Sequence, residues 1–471
     1  MTDSSAGIGE GREAFRDSLA IVSQEGKRRW VFPKQPQGRF HRARVAVSAL
    51  LLLVLFGTPF LKVEHHPFML FDVMHRKLIL FGTMFGPHDF YLVGLALITL
   101  IVFVILFTVI FGRLFCGWIC PQTVFMEMVF RKIDYWIEGD HRAQQRLRQA
   151  PWNGAKILRK GAKYALYAAL SFVIANTLLA YVVGIDELWK LVGDPPARHA
   201  ATFGAVIGFS VLFYWIFIWF REQACVLVCP YGRLQGVLLD KNSIVIAYDH
   251  ARGEPRAKLH RGRERAEGDC IDCHQCVDVC PTGIDIRNGT QLECVNCTAC
   301  IDACDTIMDR IQKPRGLIRY ASARAIAEHI GFRWTGRMTG YAVVLVLLSG
   351  LLAILLVQRT PLDVTVLRTP GLLFQEQTDG RISNVYDLKV HNKTFDDVPL
   401  NVKLLFPEGE LRVAAGSLHV AAQGVTEVKI LIFLAPSQIR ALSTPLTLGL
   451  YADTVLVEQL HTSFLGPVRR P

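Results

Sequence analysis

Cysteine dominates the chemistry available to this chain. Of its 12 cysteines, eight fall between Cys270 and Cys304 as two tandem copies of C-x2-C-x2-C-x3-C: Cys270, Cys273, Cys276, Cys280, then Cys294, Cys297, Cys300, Cys304. That spacing lets three thiolates wrap one cubane iron-sulfur cluster while the fourth reaches the other. One 4Fe-4S cluster is therefore expected on Cys270, Cys273, Cys276 and Cys304, and a second on Cys280, Cys294, Cys297 and Cys300. A disulfide framework belongs to short secreted domains, and zinc sites take four ligands with pairs set farther apart. Pro281 follows the first copy, whereas Asp305 stands where the second would have its proline. That departure touches the local turn and not the ligand count.

The other four cysteines form a repeated C-x3-C-P, Cys116 with Cys120-Pro121 and Cys225 with Cys229-Pro230, the two copies 109 residues apart. On a helix, i and i+4 share a face, and the proline is expected to end or kink the helix there. The four sulfurs are expected to converge on one functional site. Thiolates select Cu(I), zinc or iron-sulfur centres, and a redox-active dithiol is a further option. Buried structural cysteine is the plainer alternative, weakened here by the duplication. Arg113 and Glu222 stand three residues before each first cysteine. They either pair, or Arg113 lowers a thiol pKa, or both are interfacial charges.

These cysteines need elements to hold them, and composition says where. The chain has 471 residues, 51% of them hydrophobic, with a net charge of +11 and a mean hydropathy of +0.29, too apolar for an ordinary soluble protein. Five runs approach the roughly 20 residues that span a bilayer: about Val45 to Leu61, Tyr91 to Phe111, Tyr164 to Val183, Phe203 to Phe220 and Tyr341 to Val357. The basic residues flank these runs and form no nucleic-acid-binding stripe; no nucleic-acid partner is expected. The N-terminal segment, with Lys27, Arg28, Arg29 and Lys34, lacks a cleavable signal pattern and is expected to stay in the cytoplasm. Helices two and four then run the same way as a parallel internal repeat, with the C-x3-C-P pairs at their inner ends.

The expected organisation is a cytoplasmic segment over residues 1–44, four transmembrane helices over 45–229, a cytoplasmic ferredoxin domain with basic flanks over 230–340, a fifth transmembrane helix over 341–357, and an outer β domain over 361–471. Residues 230–268 read as a basic linker carrying Arg252, Arg256, Arg261, Arg263 and Arg265, with a strand-like run from Ser243 to Tyr248. The first outer loop holds His65, His66, Met69, Met74, His75, Met84 and His88. These are copper ligands by type, but Pro67, Phe68, Leu70 and Phe71 favour packing. After helix five the pattern alternates, as in Asn384-Val-Tyr-Asp-Leu-Lys-Val and Glu427-Val-Lys-Ile-Leu-Ile-Phe. With turn signals at Asp379-Gly380, Pro407, Gly416-Ser417 and Pro436, this predicts an immunoglobulin-like β-sandwich used for binding.

Taken together, the ferredoxin run Cys270 to Arg287, the two C-x3-C-P segments, the run Gly316-Leu-Ile-Arg-Tyr320 and the terminal β domain resemble the FixG/RdxA/CcoG family of cytochrome c oxidase accessory proteins. The resemblance covers almost the whole chain. It implies a bacterial inner-membrane cupric reductase with two 4Fe-4S clusters that supplies Cu(I) during assembly of a cbb-type oxidase, and that Cys116, Cys120, Cys225 and Cys229 handle the copper. Implied partners are copper ions, membrane lipid, oxidase subunits or copper chaperones, and an unidentified electron donor. Two other readings stand beside it: a quinol-linked electron conduit to another reductase, and a non-enzymatic assembly scaffold.

Overall fold

The computed structural model describes residues 20–467 except 23–24, 74–75, 260–266, 372, 415–417, 440 and 453. Met74, His75, Arg261, Arg263, Arg265, Gly416 and Ser417 lie outside the described residues. The chain divides into two units, residues 1–61 with 93–351, and residues 62–92 with 352–471.

Five helices are long and apolar enough to cross a membrane: Arg39–Phe60, Pro87–Phe111, Gly154–Val183, Pro196–Phe220 and Gly336–Val357. Each begins before the apolar run that marked it, because helix geometry continues through the polar residues leading into the run. Outward-facing Leu50, Leu53, Ile98, Leu100, Val346 and Leu347 are exposed, as a lipid-facing surface requires once every backbone group is bonded within its own helix. Between the spans the packing is aromatic. Phe130 stacks on Phe217 with centroids 4.5 Å apart, and Tyr167 meets Phe130 edge-on at 4.7 Å, geometries that add to simple area burial.

The ferredoxin half of this unit is built on a small core of Ile246, Tyr248, Ile286, Ile301, Met308, Leu317 and Ile318. The residues expected to form a linker are part of it. Pro230–Leu238 is a helix, and Val245–Tyr248, buried throughout, pairs antiparallel with Ile318–Ala321. An edge strand with no exposed residue has to be an integral layer, which is why the linker expectation fails. The helix Ala299–Arg310 reaches the first span: the Asp302 carboxylate accepts the backbone N–H groups of Phe40 at 3.2 Å and His41 at 2.8 Å. Gly38, just ahead of that helix, offers no side-chain cap, so a residue of the ferredoxin supplies one.

The second unit carries two antiparallel sheets. One runs in the order Glu410–Val413, Val425–Leu434, Ile382–Asn392, Leu362–Arg368; the other Leu418–Val420, Val398–Phe406, Ser443–Ala452, Val455–Leu465. Alternation places Tyr386, Leu388, Val390, Ile430, Ile432, Leu448, Leu450 and Phe464 inside with no exposed surface. The Tyr386 hydroxyl donates to the Ser463 carbonyl at 2.9 Å, tying one sheet to the other. Four strands, Gln375–Glu376, Glu410–Val413, Leu418–Val420 and Val455–Leu465, go beyond the sequence reading; the first three are only two to four residues long, and burial along the last does not alternate cleanly.

The expected outer loop also folds. Met69–Asp72, Lys77–Leu80 and Thr83–Phe85 form a three-stranded sheet, and Met84 is buried. His66 stacks on Phe395 at 3.9 Å, the packing role that the flanking apolar residues favoured. Buried Asp89 is held by Lys393 at 2.8 Å and Arg359 at 2.9 Å.

Candidate electron-transfer site

The two C-x3-C-P segments share one backbone design. Four residues before each first cysteine the chain breaks out of its membrane helix with a positive φ, Gly112 at +57° and Arg221 at +47°. The next turn carries the first cysteine: Cys116 in the helix Leu114–Trp118, Cys225 in the π-helical turn Ala224–Val228. The second cysteine is then extended, ψ 124° at Cys120 and 111° at Cys229. This corrects the expectation of two sulfurs on one helix face. Each proline opens the following helix at its first position, where its missing N–H has no partner to lose, and the extended cysteine before it ends the preceding turn, as expected of a residue ahead of proline.

Arg221 has no glycine's freedom at φ +47°, and such strain persists only where the surroundings over-determine it. Here the guanidinium is held by Asp134 at 2.8 Å. Asp134 also accepts from Lys163 at 2.8 Å and from the Tyr167 hydroxyl at 2.7 Å. Glu222 pairs with Arg28 at 3.0 Å and faces Arg131 at 3.8 Å, and Arg131 pairs with Glu127 at 3.0 Å. Arg113 and Glu222 therefore do not pair with each other; Arg113 donates instead to the carbonyls of Leu292 and Gly232. Burial resists ionisation of Asp134, but Arg221 and Lys163 outweigh it and hold the carboxyl well below the usual carboxylate range. The sequence reading missed this network, since each charge alone looks interfacial.

Around the cysteines, burial controls the thiols. It pushes Cys116 up to about 11 against a hydrogen bond to Gln235, whose Oε1 lies 3.4 Å from the sulfur. It pushes Cys225 up to about 12, with Cys120, Cys116 and Cys229 adding to the rise. Cys225 thus lies within electrostatic reach of the other three thiols. Among the described residues, however, no three His, Cys, Asp or Glu side chains meet closely enough to hold a single metal ion.

In the ferredoxin the eight cysteines surround two cavities. The first is lined by Cys270, Cys273, Cys276 and Cys304 with Tyr248, Ile271, Arg287 and Met308. The second is lined by Cys280, Cys294, Cys297 and Cys300, and Cys276 lines both. Four thiols around an apolar space is the donor set a 4Fe-4S cluster requires, its iron and sulfide atoms standing between the ligands. When bound, such a cluster supplies one-electron chemistry. Cys273 is exposed, whereas Cys297 and Cys300 are buried.

The two halves of the chemistry touch. Cys116 packs against Val279, Val295, Cys297 and Ala299. A Cβ on Gly117 would lie 2.5 Å from the carbonyls of both Val295 and Asn296, so only glycine permits this approach. Buried Arg44, from the first span, clamps the pair by donating to the Gly117 carbonyl at 2.9 Å and the Cys297 carbonyl at 3.1 Å. Trp118 Nε1 donates to the Tyr320 hydroxyl at 3.2 Å.

Comparison with known proteins agrees with this picture. Residues 220–323 match a family described as a 4Fe-4S dicluster domain, residues 93–139 one described as a 4Fe-4S binding domain, and residues 352–467 one described as the IG-like fold at the C-terminus of FixG. Protein RdxA of Cereibacter sphaeroides is 36% identical over 384 residues, 78% of this chain and 80% of that one. Nitrogen fixation protein FixG of Rhizobium meliloti is 32% identical over 477 residues, 91% of this chain and 88% of that one. Ferredoxin-type protein NapH of Haemophilus influenzae is 25% identical over 293 residues, 55% of this chain and 92% of that one. With its spans, iron-sulfur domains and terminal β-sandwich, the chain belongs to the FixG/RdxA family and is a membrane-associated 4Fe-4S electron-transfer protein.

Proposed function

We propose that this protein is a cupric reductase that supplies Cu(I) for assembly of a cbb-type cytochrome c oxidase. Cys270, Cys273, Cys276 and Cys304 hold one 4Fe-4S cluster, and Cys280, Cys294, Cys297 and Cys300 the other. Cys116, Cys120, Cys225 and Cys229 take the copper. One Cu(II) gains one electron and becomes Cu(I), the electron coming from an iron-sulfur centre that a one-electron carrier in the cytoplasm has reduced. Thiolate donors favour Cu(I) over Cu(II), so the four cysteines draw the reaction forward. The N-terminus and ferredoxin lie on the cytoplasmic side of the inner membrane and the β-sandwich on the periplasmic side, as the flanking basic residues favour. Oxidase subunits or a copper chaperone are the partners.

The observation that supports this reading is the packing of Cys116 and Gly117 on the loop around Cys297, beside the second cavity. Purified, chemically reduced protein is expected to convert Cu(II) to Cu(I). Serine at Cys116, Cys120, Cys225 and Cys229 is expected to abolish the conversion and leave the 4Fe-4S absorbance intact; undiminished conversion by that variant would refute the copper site.

A second reading has its own support. Cys116 and Cys120 fall inside the stretch matched to a 4Fe-4S binding domain, which favours a redox centre on those cysteines and a quinol-linked conduit that handles no copper. Quinol oxidation by the isolated protein, without copper reduction, is the outcome that reading requires.

A further inference from the structure

Arg44 and Arg113 are 3% and 6% exposed, and their positive charges lie on either side of residues 292–297. Arg44 reaches the Cys297 carbonyl, and Arg113 the Leu292 carbonyl. Among the described residues neither has a carboxylate partner: Arg44 bonds to the carbonyls of Gly117 and Cys297, Arg113 to those of Leu292 and Gly232. Nε of Arg113 is buried without any acceptor. An uncompensated buried charge is costly, and two of them beside one loop call for a reason other than stability.

The first cavity is different. The guanidinium beside it, Arg287, is matched by Asp285 at 2.6 Å and by Asp272. Asp269, next to Cys270, is matched by Arg252 at 2.6 Å and Lys313 at 3.1 Å. Arg287 and Asp269 at the first cavity are therefore each matched by an opposite charge, whereas beside the second Arg44 and Arg113 make no ion pair among the described residues. The carboxylates there are buried Glu293, next to Cys294, and Glu127, which pairs with Arg131.

Reducing a 4Fe-4S cluster adds one negative charge, and its potential follows nearby charge, hydrogen bonding and solvent exposure. Burial alone would make the second position the harder one to reduce. The same low dielectric strengthens the pull of the two guanidiniums. We propose that Arg44 and Arg113 raise the reduction potential of the centre held by Cys280, Cys294, Cys297 and Cys300 above that of its neighbour, so that electron density settles on the side facing Cys116. This rests on the ligand sets proposed above and is independent of whether copper is the acceptor. It also gives the chain a direction, from the exposed Cys273 side toward the membrane cysteines.

The test is an EPR-monitored redox titration of the full chain in detergent, without copper. In the native protein two reduced-cluster signals with separate midpoints are expected. Arg44→Gln and Arg113→Gln are each expected to lower the higher midpoint by a factor of about ten in the reduction equilibrium, or 59 mV for one electron, and to leave the lower one in place. Arg44→Lys, which keeps the charge, is expected to restore most of the shift; a purely structural role would not be rescued this way. Unmoved midpoints in both glutamine variants with clusters intact would overturn the proposal, as would equal shifts in Arg44→Lys and Arg44→Gln. Should Arg44→Gln fail to assemble its clusters, Arg113→Gln carries the same decision alone. The copper assay can fail while this ordering stands, and the reverse.

Discussion

Asp134 and Arg221 meet at 2.8 Å with almost no exposed surface. The carboxylate belongs to the helix that follows the first C-x3-C-P segment, the guanidinium to the bend that introduces the second. One ion pair thus fixes both cysteine segments relative to each other. Removing Asp134 leaves buried Arg221 and Lys163 only their longer contacts, to Glu222 at 3.9 Å and to Glu138 at 3.4 Å. Asp134→Asn is expected to destabilise the membrane unit by about 3–5 kcal/mol, the range for breaking one side of a buried pair, read as a lowered midpoint of thermal unfolding in detergent.

The same pair predicts the acid limit of stability. Asp134 is held below its unfolded value of about 3.9, so the stability it contributes is fully present above that value and is lost as pH falls through its depressed folded value. Unfolding midpoints are expected to hold level from neutral pH to about 5 on account of this group, and the Asp134→Asn protein to lose the corresponding part of the drop at lower pH. An unchanged acid profile in that variant would contradict the assignment.

Gly117 tests the contact between the ferredoxin and the membrane cysteines. Gly117→Ala places a methyl group 2.5 Å from two carbonyl oxygens, and the Val295–Cys297 loop must retreat. A cost of about 1–3 kcal/mol is expected from overpacking, together with slower reduction of the acceptor at Cys116 while the 4Fe-4S absorbance persists. Stopped-flow kinetics on the reduced variant gives the rate; a native rate would show that the contact is not on the electron route.

Metal content separates the two readings of the four membrane cysteines. If they handle copper, serine at all four is expected to leave iron at the level of two 4Fe-4S clusters and to remove bound copper. If they hold an iron-sulfur centre, iron itself falls. Elemental analysis of the purified variant decides.

In the β-sandwich, Tyr386→Phe deletes one inter-sheet hydrogen bond and is expected to cost about 1 kcal/mol. Tyr386→Ala also empties a fully buried ring site and is expected to cost about 3–5 kcal/mol. Hydrogen exchange of the strand Ile382–Asn392 is the measurement, and equal effects of the two substitutions would mean that the ring packs less tightly than its burial indicates.

Local patterns account for what was legible beforehand. Cysteine spacing, apolar runs and strand alternation are carried by neighbours in the chain, so the spans, the iron-sulfur module and most sandwich strands could be read from sequence. The strand Val245–Tyr248 was legible as a strand-like run, but its place in the core was not, because its pairing partner lies some seventy residues on, at Ile318–Ala321. Arg28, Arg44, Arg113, Arg131, Asp134 and Glu222 could not be told from surface charge, because burial depends on what packs over a residue and not on its neighbours. Sequence by itself determined the thiolate chemistry, the membrane helices and the β domain. Only tertiary structure decided that the C-x3-C-P helices break at a positive φ, that Arg44 bridges Gly117, 73 residues on, and Cys297, 253 residues on, and that the guanidiniums beside one iron-sulfur cavity lack the carboxylate partners Arg287 has at the other. The physical reason is that ion pairs and close backbone approaches act through space, where separation along the chain carries no information.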